Sequence, residues 1–207
     1  MVAAPASGSL PLSPDPRFPG LRPEVVAGYL QAPETLVAEV IDGSLSLMPR
    51  PRPRHANAAS VLNGDLHGPF RRGRGGPGGW IFLPEPELHF GQKPDIVAPD
   101  LAGWRRERVP DDFLADEAPA HITLVPDWIC EVISDRTEAH DRGKKRRIYR
   151  REGVKYYWIV DPRIQTLEVF RLEDGRWVEL DTWEGEAVVR AEPFDAIELD
   201  LAALWNL

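Results

Sequence analysis

A single cysteine, Cys130, is all that the 207-residue sequence contains. One thiol can build neither a disulfide framework nor a cysteine-based zinc site, and the scarcity points to a reducing, cytoplasmic setting. No stretch is apolar for long enough to cross a bilayer. The opening "MVAAPASGSLPLSPDPRFPG" lacks both a basic segment and a long apolar core, which argues against a secretory signal. Phosphate loop, nucleophile elbow and dinucleotide fingerprint are all missing, so an unrelated small-molecule enzyme is the weakest reading. His67, His89, His121 and His140 show no HExxH-type spacing and read as satisfied surface or core histidines. Positive charge is also in deficit: the formal net charge is −8. That disfavours wholesale coating of nucleic acid. Basic clusters at 50–54 ("RPRPR"), 71–74 ("RRGR") and 142–151 ("RGKKRRIYRR") still leave room for one local groove.

What is present is an ordinary globular composition, 43% hydrophobic and 28% charged. Residues 1–20 are rich in Pro, Ser and Ala without periodicity and read as a flexible tail, leaving 21–207 as one domain. The spacing predicts helices over 22–32 and 54–70. Asp42-Gly43, between two short apolar runs, predicts a hairpin. Strands are expected at 80–83, 87–90, 95–98, 128–133 and 155–160, and a helix over roughly 137–152. The segment 99–125 reads as charged and irregular, with a short helix near "DDFLADEA". Asp174-Gly175 predicts a second hairpin, followed by an edge strand and a short final helix. This order predicts an α/β (α+β) domain, one mixed central sheet flanked by helices.

Within "WICEVI" (128–133), Glu131 interrupts an apolar strand that should be covered on both faces. Burying a lone carboxylate costs several kcal/mol, on the order of the effective penalty per ion. Two explanations stand: a buried salt bridge to an arginine, or a bound metal ion. Asp127 lies four residues away on the same strand, ~13 Å at ~3.3 Å per residue, too far to share a cation with Glu131. Asp95, on a different strand, becomes the preferred partner if the two strands are neighbours. On the following helix, Lys145 falls on the stripe of Ile148 and Tyr149, with Asp141 close by. It should point at the sheet, either as an active-site group or as a snorkelling lysine paired with Asp141. Lys144 lies further to the side. Two carboxylates and a lysine at one sheet edge would suit a phosphodiesterase site built on Mg²⁺ or Mn²⁺.

The pieces "AEVIDGSLSLMPRPRPRH", "KPDIVAPD", "PDWICEVIS" and "DRGKKRRIYRREGVKYYWIVDP", in that order, resemble the Uma-two family of restriction-type endonucleases, a branch of the PD-(D/E)XK nuclease superfamily. The resemblance covers about residues 22–185. It implies a restriction-endonuclease-like core acting on DNA. It also implies Asp95 and Glu131 as metal ligands, Lys145 as a lysine moved from strand to helix, Glu39 as a further acidic member and His55 as a nearby polar residue. Lys144 is an auxiliary candidate, and Arg146, Arg147 and Arg150 could touch a nucleic-acid backbone. The usual lysine position, two residues after the second acid, is Ile133 here, and Asp135 stands where the family tends to have proline. A homodimer is expected of a duplex cutter. The displaced lysine and the acidic net charge keep an alternative in view: a catalytically silent nuclease-fold module that binds nucleic acid or protein.

Overall fold

The computed structural model describes residues 13, 15–92, 94–116 and 118–206. Most of the expected N-terminal tail therefore lies outside the described residues. Its last part does not behave as a tail. Phe18 and Leu21 are buried, and the Phe18 ring lies 5.8 Å from that of Tyr29. An aromatic side chain removed from water outweighs a Pro-rich neighbourhood, so packing begins before residue 21.

Helix α1 (Pro23–Leu30) starts with proline at its first turn, where a missing N–H costs nothing. Strands β1 (Leu36–Ile41) and β2 (Ser44–Pro49) form the hairpin expected around Asp42-Gly43. Both turn residues have positive φ, 53° and 71°. Helix α2 (Pro53–Leu66) runs on into a π-helical turn at His67–Arg71. Next come β3 (Trp80–Pro84), β4 (Leu88–Phe90), β5 (Asp95–Val97), β6 (Leu101–Arg105) and β7 (Trp128–Val132). A π-helical segment, His140–Lys145, leads into α3 (Arg146–Glu152). The chain closes with β8 (Tyr156–Asp161), β9 (Thr166–Glu173), β10 (Arg176–Glu184), β11 (Val188–Val189), β12 (Leu199–Asp200) and α4 (Ala202–Trp205).

A six-stranded sheet in the order β10-β9-β8-β7-β6-β3 forms the centre. It is mixed: β7 and β8 are parallel, and the other pairs are antiparallel. A four-stranded sheet, β2-β1-β5-β4, is separate from it. Side-chain alternation sorts the core into two layers. Trp128, Cys130 and Val132 pack with α2, Phe194 and α4 on one face of the central sheet. Ile129 and Ile133 pack with Ile148 and Tyr149 of α3 and with Ile41, Phe90 and Val97 of the smaller sheet on the other. Glu131 is in step with Ile129 and Ile133, so it faces the layer between the two sheets.

Two expectations for 99–125 do not hold. Residues 101–105 form a central-sheet strand, because Leu101 feeds one core layer while Ala102 and Trp104 feed the other. The stretch near Phe113 turns without forming a helix. Its Phe113 ring packs 5.5 Å from Trp104, so tertiary contact decided the local conformation.

Candidate active site

Lys145 is the hub. Its buried ammonium lies 2.7 Å from Glu131 Oε1, 3.2 Å from Glu39 Oε1 and 3.5 Å from Asp141 Oδ1. It also donates to the Ala98 carbonyl oxygen at 3.4 Å. Two local features aim it there. Along α3, Lys145 shares a stripe with Ile148 and Tyr149, which dock on the sheet. Before α3, the wider i→i+5 winding of His140–Lys145 sets Asp141 on the same side.

Each carboxylate has its own fixing contacts. Glu39, on β1, accepts from the Ala98 N–H at 2.9 Å, and its Oε2 lies 3.0 Å from His140 Nε2. Glu131, on β7, accepts from the Tyr149 hydroxyl at 2.5 Å. Asp100 stands just before β6. In the β6–β7 register Leu101 faces Cys130 and Ala102 faces Ile129. One further step puts Asp100 opposite Glu131, and directly opposed residues share a face. Asp100 Oδ2 accepts from the Val132 N–H at 2.7 Å, and Oδ1 lies 3.3 Å from His55 Nε2. The other ring nitrogen of His55, Nδ1, is buried without a partner among the described residues.

The charges are unequal in their protonation. Burial opposes ionisation of Glu39, but the Lys145 ammonium, the His140 ring and the Ala98 N–H bring its carboxyl down to about 2. Burial pushes Glu131 well above the usual carboxyl range; Lys145 opposes that and Asp141 adds to it. Burial likewise raises Asp141. Burial disfavours the charged Lys145, yet Glu131 and Glu39 reverse the balance and hold its proton firmly. Burial lowers the His55 proton affinity, and hydrogen bonding to Asp100 more than restores it.

The group opens into a cleft of about 730 Å³. Asp100, Glu131, Asp141, Lys145 and His55 line its inner part. Arg50, Arg52 and Arg54 from the β2–α2 connection, with Arg136 and Arg163, line it further out. Arg50 is tied to Glu85, and Arg163 to Asp135, Glu138 and Asp161.

The predicted residues divide clearly. Glu39, Glu131 and Lys145 converge, and His55 reaches the group through Asp100. Asp95 does not. Its strand β5 belongs to the smaller sheet, where it pairs with β1 and β4, so the condition that paired it with Glu131 fails. Asp95 Oδ1 accepts from the Asp42 N–H at 2.6 Å, and Oδ2 pairs with Arg151 at 2.7 Å. It ties the first hairpin to α3. Lys144 is exposed and away from the cleft lining. Arg146, Arg147 and Arg150 line a separate recess. Asp127 is held by Arg108, Lys155 and the Arg105 N–H at the far end of β7.

Sequence reasoning missed Asp100, Tyr149 and the tie between His140 and Glu39. Asp100 had a signal: Pro99-Asp100 is another Pro-Asp step, directly before the apolar "LAGW". The donor set suits a hard divalent cation, since Glu39, Glu131 and Asp141 surround one ammonium, Asp100 lines the same cleft, and all four offer oxygen ligands. Among the described residues no three His, Cys, Asp or Glu side chains form a ready-made cation site. The ammonium of Lys145 occupies the space between Glu39, Glu131 and Asp141.

A family described as "Putative restriction endonuclease", Uma2, matches residues 26–202. The chain belongs to the Uma2 family. No curated protein matches this Uma2-family chain. A solved structure from Anabaena variabilis, described as "a putative nuclease belonging to DUF820", is similar at 22% identity and TM-score 0.67. That similarity covers 87% of this chain and 97% of that one. At such identity it speaks for the fold: a mixed sheet with flanking helices, shared with a nuclease-like structure. Among the described residues no helix is long and apolar enough to cross a membrane.

Proposed function

We propose that the cleft hydrolyses phosphodiester bonds of DNA with the help of Mg²⁺ or Mn²⁺. The observation that carries this reading is the facing pair Asp100 and Glu131, with the Lys145 ammonium 2.7 Å from Glu131 at the inner end of an arginine-rimmed cleft. Asp100 and Glu131 would hold the cation; Glu39, more deeply enclosed by Lys145 and His140, supports them. When bound, the cation supplies Lewis acidity towards the scissile phosphate and acidifies a water ligand. The remaining chemistry belongs to the chain. His55 orients Asp100, and the Tyr149 hydroxyl fixes Glu131. Lys145 carries a held positive charge where negative charge grows on the phosphoryl oxygens. Arg52 and Arg54 on the rim suit the flanking phosphates. A homodimer would present one such site to each strand of a duplex.

Plasmid cleavage with Mg²⁺ or Mn²⁺ tests it, with wild type, Glu131→Ala and Asp100→Ala side by side and a chelator control. Nicking that requires metal and disappears in both variants is the expected result. Equal cleavage by either variant would sink the assignment. A second reading, a silent module of the same fold that binds nucleic acid or protein, is favoured by one observation: the ammonium already engages Glu131 together with Glu39 and Asp141. Absence of metal-dependent cleavage and of any metal affinity would select it.

A further inference from the structure

The helix that lines the cleft with Asp141 and Lys145 carries a different set of side chains on its other flank. Arg142, Arg146, Arg147 and Arg150, together with Arg176 and Trp177 of β10, line a recess of about 280 Å³. Arg142 is already committed: it makes a bidentate pair with Glu168. Arg146 is half-buried, its guanidinium 4.3 Å over the Phe170 ring, and its carbonyl oxygen accepts from the Trp177 indole N–H at 3.0 Å. Arg147, Arg150 and Arg176 are exposed. Among the described residues no carboxylate pairs with Arg146, Arg147, Arg150 or Arg176.

Arg108, Arg151, Arg163 and Arg171 each reach a carboxylate, whereas other arginines, Arg52 and Arg54 among them, do not. What sets Arg146, Arg147, Arg150 and Arg176 apart is that they share one concavity. Acidic residues outnumber basic ones, 33 to 25, so partners are plentiful. Four uncompensated guanidiniums around one concavity repel one another and favour an anion between them. Guanidinium forks match phosphate oxygens in pairs. A nucleic-acid backbone presents such groups at regular spacing, which a run of arginines along one helix edge can follow. Lys145 and Arg146 point into different concavities across one helix, whose thickness is about 10 Å.

We propose that this recess is a second contact for nucleic-acid backbone phosphates, outside the cleft and independent of metal. It goes beyond the hydrolytic reading and does not need hydrolysis to be true. The test is filter binding of a 30-base-pair duplex and of its single strand, in EDTA, across a salt series. The variants are Arg147→Glu/Arg150→Glu, Arg147→Lys/Arg150→Lys and, for the cleft rim, Arg52→Glu/Arg54→Glu. The charge-reversed recess variant should bind at least about tenfold more weakly, with a log–log salt slope shallower by about two, at unchanged thermal midpoint. The lysine variant should retain most of the affinity. Wild-type affinity and slope in the charge-reversed protein would overturn the proposal, as would a wild type that binds neither nucleic acid in EDTA. Recess-dependent binding without plasmid cleavage would remove the hydrolytic reading alone. Cleavage with recess-independent binding would remove the recess alone.

Discussion

Lys145 and Glu131 interact in a space that water barely enters, and removing one partner leaves the other uncompensated. Lys145→Ala should cost about 3–5 kcal/mol of folding stability, read from urea unfolding. A loss below ~1 kcal/mol would mean that the pair is screened by solvent and that the site is looser than its geometry. Glu39 gives the pH dependence. Its carboxyl is brought from an ordinary 4.5 to about 2. The stability it contributes is therefore fully present above about 4.5 and lost as the pH falls towards 2, up to about 3 kcal/mol at ~1.4 kcal/mol per unit. Glu39→Gln should flatten the acid limb of the unfolding midpoint over that window; an unchanged limb would show that other carboxylates carry it. Asp95 and Asp100 separate by function. Asp95→Asn should lose stability, since Asp42 and Arg151 lean on it, and keep cleavage, whereas Asp100→Asn should do the reverse. At this scale the sequence disclosed Glu131 and Lys145, because a carboxylate in an apolar strand and a lysine on an apolar stripe are both costly. It hid Asp100, because Pro-Asp steps recur and only strand adjacency separates them.

Among the elements, β6 is the instructive case. Its five residues contain a glycine and lead into a run of charges, Arg105 to Arg108, which masks a strand placed between β3 and β7. Gly103 is there for room. A Cβ at that position would lie 3.1 Å from the Phe82 ring and 3.2 Å from that of Trp128. Gly103→Ala should therefore destabilise by about 1–3 kcal/mol, seen as a lower thermal midpoint by circular dichroism. A neutral result would mean that the two rings can separate without cost. The hairpins at Asp42-Gly43 and Asp174-Gly175 were legible because their turns require positive φ, a local demand that residue type answers. The helix after β7 was legible by its stripe, but its π-helical opening was not. The winding at His140–Lys145 is part of a segment whose His140 and Lys145 meet β1 and β7 through Glu39 and Glu131, and no local propensity reports such a requirement.

On the scale of the whole molecule, the division into a central sheet and a smaller one could not be read from strand count, since β4 and β5 look like any other short apolar runs. It is this division that brings Glu39 over the face of the central sheet, where Lys145 links β1 to β7. The two core layers also differ in their aromatic content. Trp128 and Trp158 are buried with Phe194, 5.1 and 5.5 Å from its ring, on the face turned away from the cleft. Trp177 alone stands, half-buried, at the arginine recess. The seven indoles are thus divided in space: five are buried and should respond only when the core opens, and of the two half-buried ones, Trp177 and Trp183, Trp177 lines the recess. An acrylamide-accessible fraction that changes with a bound polyanion, while the bulk spectrum holds still, would let a cuvette separate occupancy from unfolding without any label.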